Sequence, residues 1–312
     1  MEKDFHYDII YSIAKLTECK DAEIIAHASQ FVDDNSERWF SDGGGDIPFP
    51  EKIECSTGGN YFPIMTQSMS PLSVDPYVQN FVYVPFHFLP GDNNVTIDKK
   101  KNPLSTTPNS NNAKTLLNYA LESKEPYRIG IALHTYADTW SHQNFTGMRE
   151  DWNSVYPWHN AKKYLVPDIG HAEAGHSPDV ISEIWTDHRL GNDKQIDNKK
   201  RALDAVENIY KAMRDYTGAG PQWSTVAPNY TNIVNSSDFD NRVADVSDFI
   251  RAKCHEAVPQ YVSDVWINGA LERNGLTVKF KDGVNHLDTH WYKFNKAAKA
   301  QLALVLDLIK GL

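Results

Sequence analysis

A chain of 312 residues, 41% hydrophobic and with a mean hydropathy of −0.52, can bury a sizeable core, as one large domain or two smaller ones. Its formal net charge of −10 argues against a protein that grips long nucleic acid through the phosphates. It leaves room for a small phosphorylated ligand, because bound cations would invert the local field. Three cysteines, Cys19, Cys55 and Cys254, are odd in number and far apart, which fits neither a disulfide framework nor a Cys-x-x-Cys zinc site.

The N-terminal stretch MEKDFHYDIIYSIAKL is charged and amphipathic, without the continuous apolar core of a signal peptide. No run is long and apolar enough to read as a transmembrane span, so a cytoplasmic protein is expected. Phe5, Ile9, Ile10, Ile13 and Leu16 repeat at helical spacing and predict a helix over 4–17, with His6 on its first turn. A second helix is predicted over 21–34, with Asp21 as N-cap and a stripe of Ile24, Ile25, Ala28, Phe31 and Val32. It ends in the doublet Asp33-Asp34, and His27 falls on its polar side.

Residues 41–110 change character. Gly43-Gly44-Gly45, Gly58-Gly59 and many prolines predict long loops. Among them Tyr83-Val-Pro-Phe-His87-Phe-Leu-Pro90 is an aromatic island, expected to be a short extended or irregular segment between its prolines. A helix is predicted over 111–123, and Pro126 opens the next one. That central run carries Gly130-Ile-Ala-Leu-His134-Thr-Tyr-Ala-Asp138-Thr-Trp-Ser-His142, and Asp138 is the only formally charged residue between Ile129 and Met148. A second loop region, 146–170, holds Trp152, Trp158 and His159. After it comes Gly170-His171-Ala-Glu-Ala-Gly175-His176-Ser-Pro178-Asp179, in which Ser177-Pro178 predicts a helix start running to about Leu190. Further helices are expected over 196–217, 238–254, 258–272 and 286–311, with a small hairpin over 275–285. The fold expected from this pattern is all-α, a single domain spanning 1–312.

His134, Asp138 and His142 are spaced i, i+4, i+8 and share one helix face. A lone carboxylate on an uncharged, buried helix is costly unless it is neutralised. The flanking histidines suggest a metal, although a hydrogen-bonded core histidine pair would satisfy the same pattern. Each i to i+4 step rises roughly 6 Å, so the two histidines lie about 12 Å apart along the axis. Zinc–ligand bonds are only about 2 Å. The motif therefore suits two ions, with Asp138 as a possible bridge. The remaining metal-ligand residue types near apolar sequence are His6, Asp33, Asp34, His87, His171, His176 and Asp179. No Gly-x-Ser-x-Gly motif occurs, and His255-Glu256-Ala-Val-Pro259 fails the His-Glu-x-x-His pattern at its last position.

In order along the chain these segments resemble the zinc-dependent phospholipase C and single-strand-specific nuclease superfamily. His6 matches its first histidine, Phe31-Val32-Asp33 its aromatic-small-Asp (with Asp34 adjacent), His87-Phe88 its loop histidine, and His134-x3-Asp138 its central helix motif. Asp138-Thr-Trp-Ser-His142 is similar to the glycosylphosphatidylinositol-specific phospholipase D branch. Gly170-His171 through Asp179 looks like the last segment. The best overall likeness is to an uncharacterised bacterial branch that opens with a similar Phe-His-Tyr. The resemblance covers roughly residues 1–190. It implies an all-α fold, two or three Zn2+ ions, and a phosphoester hydrolase acting through a metal-activated water on a small-molecule or lipid phosphodiester.

The resemblance also implies a ligand at the mature N-terminal amine, a place that Met1 or Asp4 would take here. The last acidic ligand departs from the family spacing, since Asp179 follows His176 by three residues. Asp33 or Asp34 would be the general base, and Phe88, Phe145, Trp152 and Trp158 candidate pocket walls. The alternatives are a metal-stabilised helical protein without catalysis, or a metallohydrolase of the same fold acting on a non-phosphate substrate.

Overall fold

The structure is a computed structural model. It describes residues 1–40, 46–55, 58–91, 95–97, 99–155, 166–191, 194–274 and 277–312. The chain opens with a π-helical turn, Asp4–Ile9, that runs directly into α1 (Ile10–Leu16); α2 (Ala22–Asp34) follows. Short strands β1 (Arg38–Phe40), β2 (Asp46–Pro48), β3 (Ile53–Glu54) and β4 (Asn60–Tyr61) come next. α3 (Pro76–Val78), a second π-helical turn (Gln79–Tyr83) and α4 (Val84–Phe86) then form one helical run ending at His87. Beyond it lie α5 (Asn111–Ser123), α6 (Pro126–Ser141), β5 (Ile184–Asp187) and β6 (Lys194–Asp197). The C-terminal half holds α7 (Asn198–Thr217), α8 (Trp223–Val234), α9 (Phe239–Cys254), α10 (Val265–Ala270), β7 (Leu271–Asn274), β8 (Thr277–Phe280) and α11 (His290–Leu308).

Helix α6 is the axis of the fold. From Ile129 to Ser141 every side chain is buried, as expected of a helix enclosed on all sides. It packs against α2, α5, α7 and α11. Pro126 in its first turn needs no hydrogen-bond partner there. Two large apolar clusters flank the axis. One joins Phe5, Ile9, Leu133, Ala137, Ile209 and Tyr230; the other joins Phe31, Ile131, Trp266, Phe280, Trp291 and Phe294.

The all-α expectation is overturned. Helix accounts for 54% and strand for 10%. Strands β4-β3-β8-β7 form a mixed four-stranded sheet, and β1-β2 and β5-β6 are antiparallel pairs. The sequence signalled a single hairpin, placed at 275–285; β7 and β8 form it earlier, over 271–280, taking residues 271 and 272 from an expected helix. The parallel pairing of Glu54 with Lys279 joins parts of the chain that share no local pattern. Residues 41–110 are likewise not all loop, since they hold strands and the helical run ending at Phe86. The aromatic island is thus helical up to Phe86, although Pro85 falls inside the continuous helical run, where its nitrogen donates no hydrogen bond to the turn before it.

The predicted helix from Ser177 to Leu190 is also absent. Residues 176–180 form turns, with the Val180 amide bonded to the His176 carbonyl, and Ile184–Asp187 pairs with β6. Helix α8 went unpredicted because Pro228 lies inside it and interrupts the pattern. Helix α10 begins at Val265 rather than 258 and stops at Ala270. Among the described residues no helix is long and apolar enough to cross a membrane.

Candidate metal centre

The centre lies where the C-terminal end of α6 meets the N-terminal π turn, the end of α2, the end of α4 and the 170–179 turns. Helix α6 holds His134 and Asp138 on one buried face and ends at Ser141, leaving His142 as its C-cap. Asp138 is 1% exposed and gathers the others. Its Oδ1 lies 3.1 Å from His6 Nε2 and 2.7 Å from the Met1 amine. Its Oδ2 lies 3.2 Å from both His87 Nδ1 and His134 Nε2, and 3.6 Å from His142 Nδ1. Asp33 Oδ1 stands 3.9 Å from His87 Nδ1 and 3.7 Å from His134 Nε2. Asp179 faces His142 Nε2 at 3.1 Å, His171 Nε2 at 3.2 Å and the Met1 amine at 3.2 Å.

Among the described residues three groups of donors are each close enough to hold one cation: His6, His134 and Asp138; Asp33, His87 and His134; and His142, His171 and Asp179. His134 and His142 fall in different groups, as the spacing of about 12 Å requires, but Asp138 does not join the His142 group, because His142 turns its Nε2 to Asp179.

The second shell suits ligands. His87 Nε2 donates to the Thr66 carbonyl at 2.8 Å, which leaves the lone pair on Nδ1, facing Asp138 and His134. His142 Nδ1 donates to the His87 carbonyl and His171 Nδ1 to the Gly175 carbonyl, both at 2.8 Å, so each presents Nε2 to Asp179. Burial holds His6 near a pKa of about 3 and His134 near about 4, reinforced for His6 by the neighbouring His134. Both rings are therefore neutral and carry lone pairs. They stack with centroids 3.8 Å apart, which two imidazolium cations would not do. Burial opposes ionisation of Asp138 and Asp179, yet the surrounding histidines and the Met1 amine hold both carboxyls well below the usual range. The donor set thus fits a cluster of divalent cations of the zinc type.

The groups open onto a cleft of about 550 Å³. Phe88 lines it and stacks on His142 at 4.5 Å. Gly170, at φ 54°, lets the chain pass so close to Phe88 that a Cβ would lie 2.4 Å from the ring, and this places His171. Met69 is 78% exposed at the rim, and Leu72 and Tyr77 in the same segment are 51% and 61% exposed.

Several sequence candidates lie elsewhere. Asp34 accepts from Tyr261 Oη at 2.6 Å and lines an adjoining cavity rather than joining the ligands. His176 is exposed on the cleft wall and outside the three groups, so His171 is the histidine paired with Asp179. Asp4 is bonded to Arg242, and the Met1 nitrogen, not Asp4, stands among the ligands. Phe145 is fully buried beneath Arg189, and Trp152 donates to the Asn144 carbonyl; neither lines the cleft. Trp158 and His159 lie outside the described residues. The sequence reading missed Thr66 and Ser141, because a backbone carbonyl and a serine hydroxyl carry no motif.

Compared with known proteins, residues 1–309 match the model of a family of unknown function, DUF6765. The chain belongs to that family. No curated protein and no solved structure matches it.

Proposed function

We propose that this protein is a metal-dependent hydrolase, a phosphoesterase that cleaves a small or lipid phosphodiester. The observation that carries the reading is the convergence of three His/Asp groups at one open cleft, two of them sharing His134. The order of those ligands along the chain also supports likeness to the zinc-dependent phospholipase C and nuclease superfamily. Divalent cations held there would supply a water that ionises near neutral pH and would neutralise charge on a phosphoryl group. The chain's own part is positioning. His87, His142 and His171 are fixed by carbonyls, and Asp33 borders the open side with 28% of its side chain exposed. The Asp33 carboxylate stands at this open side, placed to take a proton from water as general base. Gln67 Nε2 donates to Asp33 Oδ1 at 3.4 Å and helps orient it. The exposed Met69, with Phe88 and Ile169 on the cleft wall, favours a substrate with an apolar portion.

A non-catalytic, metal-stabilised protein is the rival, and closed four-ligand shells would favour it. Zinc-loaded protein is to be assayed with bis-p-nitrophenyl phosphate beside His134→Ala. The expected result is turnover by the parent and a loss of at least about 100-fold in the variant, with its circular dichroism retained. Tightly bound metal with no turnover of any ester tested would leave the structural role.

A further inference from the structure

The first ligand group depends on a short segment, Asp4–Ile9, that is buried throughout. His6 sits in a π-helical turn that begins at Asp4, and no capping side chain closes its start. Such turns are rare and adopt their geometry under outside constraint. The constraint comes from α9, far along the chain. Arg242 Nε donates to Asp4 Oδ2, and both residues are wholly buried. The other oxygen of Asp4 accepts the Phe5 amide at 2.9 Å, so both carboxylate oxygens are engaged. Arg242 is held in turn, with Nη1 donating to the Ser236 carbonyl at 3.3 Å. Helix α9 is itself fixed by Asp238, which caps it through the Asn241 amide at 2.9 Å. Neither Asp4 nor Arg242 belongs to a ligand group.

We propose that Asp4 and Arg242 are a positioning pair, a buried strut that sets the π turn so that His6 Nε2 faces Asp138 and the cation site of His6, His134 and Asp138 can form. The role rests on the metal reading above. The strut acts on the site that contains His6. The group of His142, His171 and Asp179 takes its three donors from other elements and meets the N-terminal segment at the Met1 amine, 3.2 Å from Asp179. A pair that merely added stability would weaken all sites together or none.

The test is zinc titration of the full chain by equilibrium dialysis, with unfolding followed in parallel. Removing one partner alone would strand a buried charge, so the main variant is Asp4→Asn combined with Arg242→Met, which neutralises both. The expected result is a folded protein with one ion fewer per chain, or one site weakened by roughly 10–100-fold, and the rest unchanged. Arg242→Lys keeps the charge but not the fork and should show a smaller loss at the same site. It also serves if the double variant does not fold. Unchanged stoichiometry and affinity in whichever of these variants folds would overturn the proposal, as would equal weakening of every site. If the parent chain binds no zinc, it is the metal reading that fails, and the two failures are told apart in the first titration.

Discussion

His27 shows how much one side chain depends on what packs against it. It lies not on a solvated face but against Trp266, with rings stacked 4.0 Å apart, and Phe31 and Tyr261 close by. Burial, aided by the nearby His290, lowers its pKa to about 3. The folded state therefore keeps the ring neutral where the unfolded chain takes up a proton. The contribution is full above the unfolded value of about 6.5 and is lost as pH falls from there toward 3, by about 1.4 kcal/mol per pH unit. Urea unfolding at pH 7, 5.5 and 4.5 should thus show stability falling with acid. His27→Phe, which keeps a ring against Trp266 but cannot titrate, should fall less steeply. Equal slopes for parent and variant would show that His27 does not report the burial described. Residue type alone could not reveal this, because the partner Trp266 is remote in sequence.

At the scale of elements, the crossing of α2 and α6 decides where Asp33 stands relative to His134 and Asp138. Gly130 permits the crossing. A Cβ there would lie 2.4 Å from the Ile25 carbonyl oxygen and 2.6 Å from the Ala28 Cβ. The backbone of α2 would have to move, because it has no rotamer to change. Gly130→Ala should destabilise by about 1–3 kcal/mol, as overpacked sites do, and also weaken zinc binding. Gly269→Ala, with open space around it, is the control. Thermal melts with zinc titration check both effects, and a Gly130→Ala protein that melts and binds like the parent would contradict the crossing. Helices α1, α2 and α6 were legible because their apolar stripes repeat at helical spacing, whereas the run ending at Phe86 was not, because its prolines read as an irregular segment. Nor were the turns at 176–180. Ser177-Pro178 looks like a helix start, yet the chain there is shaped by Asp179 meeting His142 and His171, which no local pattern encodes.

Over the whole molecule, the ligands come from positions 6 to 179, while α7 to α11 supply packing, and with Arg242 a buried ion pair, but no donor to the three groups. Cations bound there would tie together segments separated by long stretches of chain. Each site would stabilise the fold by about 2.7 kcal/mol when free metal is 100 times its dissociation constant. For a domain of this size a kcal/mol shifts the melting temperature by about 2–4 °C. Removing metal with a chelator should lower the melting temperature by several degrees, and restoring zinc should recover it. A melting temperature indifferent to both would mean that no cation is tied to the fold. Which residue types gather at the centre was readable from the sequence. The partition among Asp33 and Asp34, or His171 and His176, was not. It depends on Tyr261 drawing Asp34 aside and on Gly170 and Gly175 turning His171 inward.

The two π-helical turns have a consequence for how the chain can change its length. Each holds one residue more than an α-helical turn would, and one carries His6 while the other precedes His87. Losing that extra residue from Gln79–Tyr83 would restore ordinary winding and leave His87 nearly in phase with the segment before it. The centre has a phase, much as a reading frame does. A one-residue deletion is absorbed in the π turn, whereas the same deletion in an α-helical stretch turns everything beyond it by about 100°.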